Sequence, residues 1–142
     1  MGKIAFVFSG QGAQYSGMGQ SLCQASPAAQ AVFDTADQLR PGTREQCFTA
    51  PVEELSITEN TQPCLYCVDL AAARALEEAG VHAECVAGFS LGEIAALSFA
   101  GVFTPEEGFD FVCKRGRAMQ KAGAANPGAM AAVLKLSNEQ VE

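Results

Sequence analysis

The stretch Glu84-Cys85-Val86-Ala87-Gly88-Phe89-Ser90-Leu91-Gly92-Glu93-Ile94-Ala95-Ala96 decides how this chain is read. Glu84 to Ala87 is a short β-prone run, and Glu93 to Ala100 is an Ala-rich apolar run that reads as a helix. Between them, Gly88-Phe89-Ser90-Leu91-Gly92 has the G-x-S-x-G form of a nucleophile elbow. A strand-to-helix turn this sharp puts the serine in a strained backbone conformation, which small flanking residues tolerate, and presents its Oγ at the carboxyl end of a sheet. The same five-residue pattern arises by chance in ordinary Gly-rich turns; the strand before it and the helix after it favour the elbow. Ser90 is therefore the candidate nucleophile.

Outward from the elbow, strand and helix signals alternate. Lys3 to Phe8 is a strand run closed by a loop over Ser9 to Gly17, and a helical segment from about Met18 through Leu39 follows, interrupted near Pro27. Arg40 to Asn60, with Pro41-Gly42 and Pro51, reads as irregular with one short helix. Pro63 to Ala79 reads as a helix packed through Leu65, Val68, Ala72, Leu76 and Ala79, with Gly80 at its C-cap. Thr104-Pro105-Glu106-Glu107 combines an N-cap, a first-turn proline and a capping-box glutamate, so another helix starts there and runs to about Ala122. This alternation predicts an α/β fold with a largely parallel sheet.

A chain of 142 residues with 49% hydrophobic and 18% charged residues is long enough for one globular core. Its net charge of −7 repels nucleic acid and anionic membranes, so neither is an expected partner. No run approaches a transmembrane helix, and the apolar run after Lys3 breaks at Ser9-Gly10-Gln11, too early for a signal peptide. The cytoplasm is the expected location. There the six cysteines read as reduced, small apolar residues. Cys64-Leu65-Tyr66-Cys67 has redox-pair or half-zinc-site spacing, but no second pair or nearby histidine completes a metal site. Two semi-buried thiols in the opening turn of a helix is the reading preferred.

Serine needs a base, and the chain has one histidine, His82. It precedes Ser90 by a whole strand, on the order of 20 Å or more at about 3.3 Å per residue, and reads as a surface-loop residue. The loop Gly10-Gln11-Gly12-Ala13-Gln14 fails both phosphate-binding templates, because Met18 stands where a P-loop needs lysine and Tyr15 where G-x-G-x-x-G needs glycine. Either it is a tight polar turn, or its backbone approaches a reacting group with Gln11 free to donate a hydrogen bond. After Asn126-Pro127-Gly128, Met130 to Leu136 reads as a strand, and Ser137-Asn138-Glu139-Gln140 as a second capping box. A helix of one turn does not hold itself together. That predicts an N-terminal piece of a longer protein, a frayed terminus being the alternative.

Together these motifs resemble the malonyl-CoA:acyl carrier protein transacylase family, the acyltransferases of fatty acid and polyketide synthesis. The likeness runs through Phe8 to Gln14 (G-Q-G-[AS]-Q), Thr61-Gln62-Pro63 (T/N-Q-P), Gly88 to Glu93 (G-H-S-x-G-E), Lys114 to Gln120 (R-G-x-x-M-Q) and Gly128 to Ala132 (G-x-M-A-A). The resemblance implies Ser90 as the acylated nucleophile, Gln11 lining an oxyanion hole whose main donor is the backbone N–H of Leu91, and Gln62 near the acyl pocket. Phe89 departs from the family's histidine at that position, which is not the catalytic base; the catalytic histidine is implied to lie beyond Glu142. The implied fold is a three-layer α/β/α hydrolase-like core over residues 1–128, with a ferredoxin-like subdomain beginning at 129–142. Malonyl-CoA and acyl carrier protein are the implied partners, with no cofactor and no metal.

Arg115 can be judged by helical geometry. At 100° per residue Lys114, Arg117 and Lys121 share an arc of roughly 60°, whereas Arg115 points about 100° or more away, to the flank of the Phe109, Val112, Gly116 and Met119 stripe. There it either covers apolar surface with its stem or holds a carboxylate through two hydrogen bonds. The resemblance implies the second, with the free carboxylate of malonate. The expected reaction is ping-pong transfer from malonyl-CoA through a Ser90 ester to a phosphopantetheine thiol. A serine hydrolase, either thioesterase or patatin-like lipase, would share the elbow, and a piece lacking its base would be inactive.

Overall fold

The structure, a computed structural model, describes residues 2–129 and 133–141. Strand β1 (Ala5–Phe8) is followed by helices α1 (Gln20–Ala25), α2 (Pro27–Leu39), α3 (Thr43–Thr49), α4 (Val52–Leu55) and α5 (Thr58–Glu78). Then come strand β2 (Cys85–Gly88) and helices α6 (Leu91–Phe99), α7 (Pro105–Ala125) and α8 (Asn138–Val141). The α/β alternation is as expected. β1 and β2 pair in parallel, with Ala5 opposite Cys85 and Phe8 opposite Gly88.

One face of this sheet is covered. Phe6 and Phe8 point into the core and pack on Phe99 of α6, ring centroids 5.4 and 5.8 Å apart. On the other face Ala5, Val7, Cys85 and Ala87 are exposed, Val7 by 79%. Among the described residues the sheet thus has helices on one side.

Where the local signal was a cap, the expected element forms. Thr104 Oγ1 accepts from the Glu107 N–H at 3.1 Å, and the Glu107 carboxylate accepts from the Thr104 N–H at 2.9 Å, closing the capping box of α7. At the interruption expected near Pro27, Ser26, not singled out along the sequence, caps α2 through the Ala29 N–H, with Pro27 in its first turn.

Two helical expectations need correction. The segment Arg40 to Asn60 is mostly helical, because Arg40 ties it down: its guanidinium donates to Gln46 Oε1 and Asn60 Oδ1, both at 2.9 Å. The helix expected from Pro63 begins at Thr58 and carries Pro63 inside it. Proline has no N–H to return to the Glu59 carbonyl, a loss the surrounding packing has to outweigh. That packing is extensive, since Thr61 through Cys67 are buried without a break, and Cys64 and Cys67 are fully rather than half buried. Farther along, Leu76, expected in the core, is 44% exposed. The first half of α5 is surrounded by helices on every side, while its second half is not.

The expected strand at Met130 to Leu136 lies partly outside the described residues, as does the G-x-M-A-A segment. Residues 133–136 form no strand, and Lys135 has a φ of 63°, off an extended path. The second capping box is half present. The Ser137 N–H donates to Gln140 Oε1 at 3.0 Å, ahead of the single turn of α8. Among the described residues no helix is long and apolar enough to cross a membrane.

Candidate active site

Ser90 stands between the end of β2 and the start of α6 with φ 55° and ψ −99°. That backbone is disfavoured for any residue with a Cβ and is held only where the surroundings leave no alternative. The surroundings are two glycines against backbone. A Cβ on Gly88 would lie 2.2 Å from the Gly92 carbonyl, and one on Gly92 would lie 2.3 Å from the Phe8 carbonyl oxygen. The glycines of the elbow let the end of β1 and the start of α6 close on each other, and that closure turns Ser90 outward, where it is exposed.

Gly92→Ala is accordingly expected to cost about 1–3 kcal/mol, because the atoms it meets are main chain and cannot swing aside. Gly123→Ala on α7, where nothing lies within 4 Å, should be neutral or stabilising by up to about 1 kcal/mol. Urea unfolding of the two variants checks the contrast; equal stability would show that the elbow is not close-packed.

Helices α5 and α7 bring two side chains to Ser90. Arg115 Nη2 donates to Ser90 Oγ at 3.1 Å and Nη1 donates to Gln62 Oε1 at 2.6 Å. Gln62 is 1% exposed, and its Nε2 donates to Met119 Sδ at 3.7 Å. The guanidinium is thereby aimed by a buried amide. Lys114, Arg117 and Lys121 are exposed, and Arg115 is half-buried, on the separate side that the helical angles put it. Lys114 pairs with Asp110. Among the described residues Arg115 has no carboxylate partner and contacts only neutral oxygens, so a cationic fork stands beside the serine hydroxyl.

The other candidates sit around this cluster. Leu91 is fully buried, and as the first residue of α6 it keeps a backbone N–H with no acceptor inside the helix. Gln11 is exposed and donates to Thr58 Oγ1 at 3.3 Å, while the Thr58 N–H donates to Gln120 Oε1 at 3.1 Å. Ser90, Arg115 and Gln62 are thus joined directly by hydrogen bonds, and Gln11 is held to the start of α5 outside that trio. His82 is exposed in the loop leading into β2, at the end of the strand opposite Ser90. A cavity of about 480 Å³ lies among Arg40, Gln46, Ala50 and Glu54. None of the candidate residues lines it.

Sequence reasoning passed over Asp69. It lies on α5 facing the end of β1, where Ser9 Oγ donates to Asp69 Oδ1 at 2.8 Å, and its Oδ2 is buried without a partner. Burial pushes this carboxyl up to about 6, against the opposing effect of the Ser9 hydrogen bond. The available signal was an acidic residue inside the apolar run Cys64 to Ala73.

Residues 5–142 match the acyl transferase domain family. The chain belongs to that family. It is 41% identical, over its whole length, to the malonyl CoA-acyl carrier protein transacylase of Bacillus subtilis (strain 168), of which it covers 45%. Among solved structures, the malonyl CoA-acyl carrier protein transacylase of Clostridium perfringens superposes with a TM-score of 0.84 at 37% identity, covering 99% of this chain and 45% of that one. A malonyl-transacylase solved in complex with its type II polyketide-synthase acyl-carrier protein gives a TM-score of 0.79 at 36% identity, covering 85% of this chain and 40% of that one. The acyl transferase chain described here therefore spans a little under half the length of these relatives.

Proposed function

We propose that this acyl transferase chain carries the nucleophile and the carboxylate-binding arginine of an enzyme that moves a malonyl group from malonyl-CoA to the phosphopantetheine thiol of an acyl carrier protein. The observation that carries this reading is the Arg115 fork, set between a buried amide and the hydroxyl of Ser90. A hydrolase of simple esters has no use for a cation there. A malonyl thioester has a free carboxylate one methylene from the reacting carbonyl, which can replace the neutral oxygens now accepting from Arg115 with stronger, charge-assisted bonds.

In the first half-reaction Ser90 Oγ attacks the thioester carbonyl and gives its proton to a base. The developing oxyanion lies near the Leu91 N–H, with Gln11 as the second donor once it turns from Thr58. The carbon–sulfur bond breaks, CoA leaves as the thiol, and malonyl-Ser90 remains with its carboxylate on Arg115. In the second half-reaction the carrier thiol attacks this ester and Ser90 regains its proton. The reading requires a base from outside residues 1–142, because the one histidine present, His82, stands at the wrong end of β2.

The same reading takes residues 1–128 as part of a three-layer α/β/α core, whose second helical layer would cover Val7 and Ala87, and residues 129–142 as the start of a small ferredoxin-like subdomain. It places the enzyme in the cytoplasm. The test is the full-length polypeptide supplied with malonyl-CoA and holo carrier protein. CoA release matched one for one by malonyl carrier protein is the expected result. CoA release matched by free malonate would make the enzyme a thioesterase and overturn the proposal.

A further inference from the structure

We propose that Asp69 is a positioning residue that holds the end of β1 against the nucleophile elbow, an inference that rests on reading Ser90 as the nucleophile. Ser9 follows β1 directly and leads into Gly10 and Gln11. Its hydroxyl donates to the Asp69 carboxylate, which projects from the middle of α5. The segment so anchored is in contact with the elbow at three places. The Phe89 N–H donates to the Phe8 carbonyl at 3.2 Å. The Phe8 and Ser9 carbonyl oxygens lie 2.3 and 2.4 Å from where Gly92 would carry a Cβ, and the Phe89 carbonyl lies 2.7 Å from the corresponding point on Gly10. Backbone packed this closely does not yield independently, so a displacement of Ser9 by a few tenths of an ångström is passed on to Phe89 and Gly92, on either side of Ser90.

The anchor is also one that titrates. The groups facing Asp69 from β1 are Phe6, Phe8 and Ser9, and those beside it on α5 are Ala72, Ala73 and Leu76. None of them ionises. Among the described residues no cation offsets its burial, and the carboxyl rises to about 6. Its ionised form accepts from the Ser9 hydroxyl through a charge-assisted bond, roughly twice as strong as that of the neutral acid. Protonation therefore slackens the grip on Ser9. The sign follows: the hold on Ser9 strengthens as pH rises through about 6 and weakens as pH falls through it.

Amide ¹H–¹⁵N spectra of the 142-residue chain, recorded from pH 4.5 to 8, test this directly. The expected result is one shared inflection near pH 6 in Ser9, Gly10 and Gln11 and also across the contact in Phe89, Leu91 and Gly92. It should vanish in Asp69→Asn, which keeps the shape and the acceptor, and persist in His82→Gln. Elbow amides that stay flat while Ser9 titrates would show a local structural bond and overturn the proposal, as would an inflection surviving in Asp69→Asn. Should the variant fail to fold, the wild-type titration still decides whether the elbow responds. A failure of malonyl transfer would remove the reading of Ser90 without changing this titration.

Discussion

Ser90→Ala is expected to abolish the covalent step of the proposed reaction: incubated with malonyl-CoA, the full-length polypeptide should gain a malonyl mass on Ser90, and the variant none. The expected loss of transfer is at least about a thousandfold, since removing an acyl-enzyme nucleophile leaves only binding and oxyanion stabilisation. The backbone adds a second readout. Ser90 holds φ 55° and ψ −99°, a strain of about 1–3 kcal/mol for a residue with a Cβ. Ser90→Gly should therefore be as inactive as Ser90→Ala yet more stable than wild type, by about 1 kcal/mol, because glycine enters that region without steric cost. Urea unfolding beside intact-mass analysis separates the two effects. A label mapped to another residue would sink the assignment, and a destabilised glycine variant would show that the strain is relieved elsewhere.

Arg115→Ala should divide the substrates. Two charge-assisted hydrogen bonds to a malonyl carboxylate, each worth about 1.5–3 kcal/mol, predict a loss of malonyl transfer on the order of a hundredfold or more, while acetyl transfer, which has no carboxylate to bind, is spared or improved. Arg115→Lys keeps the charge without the fork and should fall between the two. The substitution has a structural cost as well. It leaves the buried Gln62 Oε1 without its 2.6 Å donor, which costs about 1–3 kcal/mol of stability. Stability is therefore measured beside kcat/KM for both acyl groups. Equal losses for malonyl and acetyl transfer would mean that Arg115 serves the fold and not the substrate.

The division between what could be read along the chain and what could not follows the range of the interaction. The elbow at Gly88 to Gly92 was legible because its glycines and serine lie within five residues, although Gly92 closes on the distant Phe8. The capping box was legible because Thr104 and Glu107 satisfy each other three residues apart. The direction of Arg115 was legible too, since helical geometry alone separates it from Lys114, Arg117 and Lys121. By contrast, α5 was read as a one-sided helix beginning at Pro63, and it begins at Thr58, with Leu76 outside the core. Periodicity reports one buried face; a helix enclosed on all sides for half its length has no periodic signal there, and its partners are distant in the chain. The bond from Arg115 to Gln62 spans 53 residues, that from Arg115 to Ser90 spans 25, and that from Ser9 to Asp69 spans 60. Local sequence determined that a serine would be presented at a strand-to-helix turn, and that an arginine would leave the solvated face of its helix. Only the tertiary structure decided that a buried glutamine would aim that arginine at that serine, and that a buried carboxylate would hold the neighbouring strand end, because both depend on which distant helix faces close on each other.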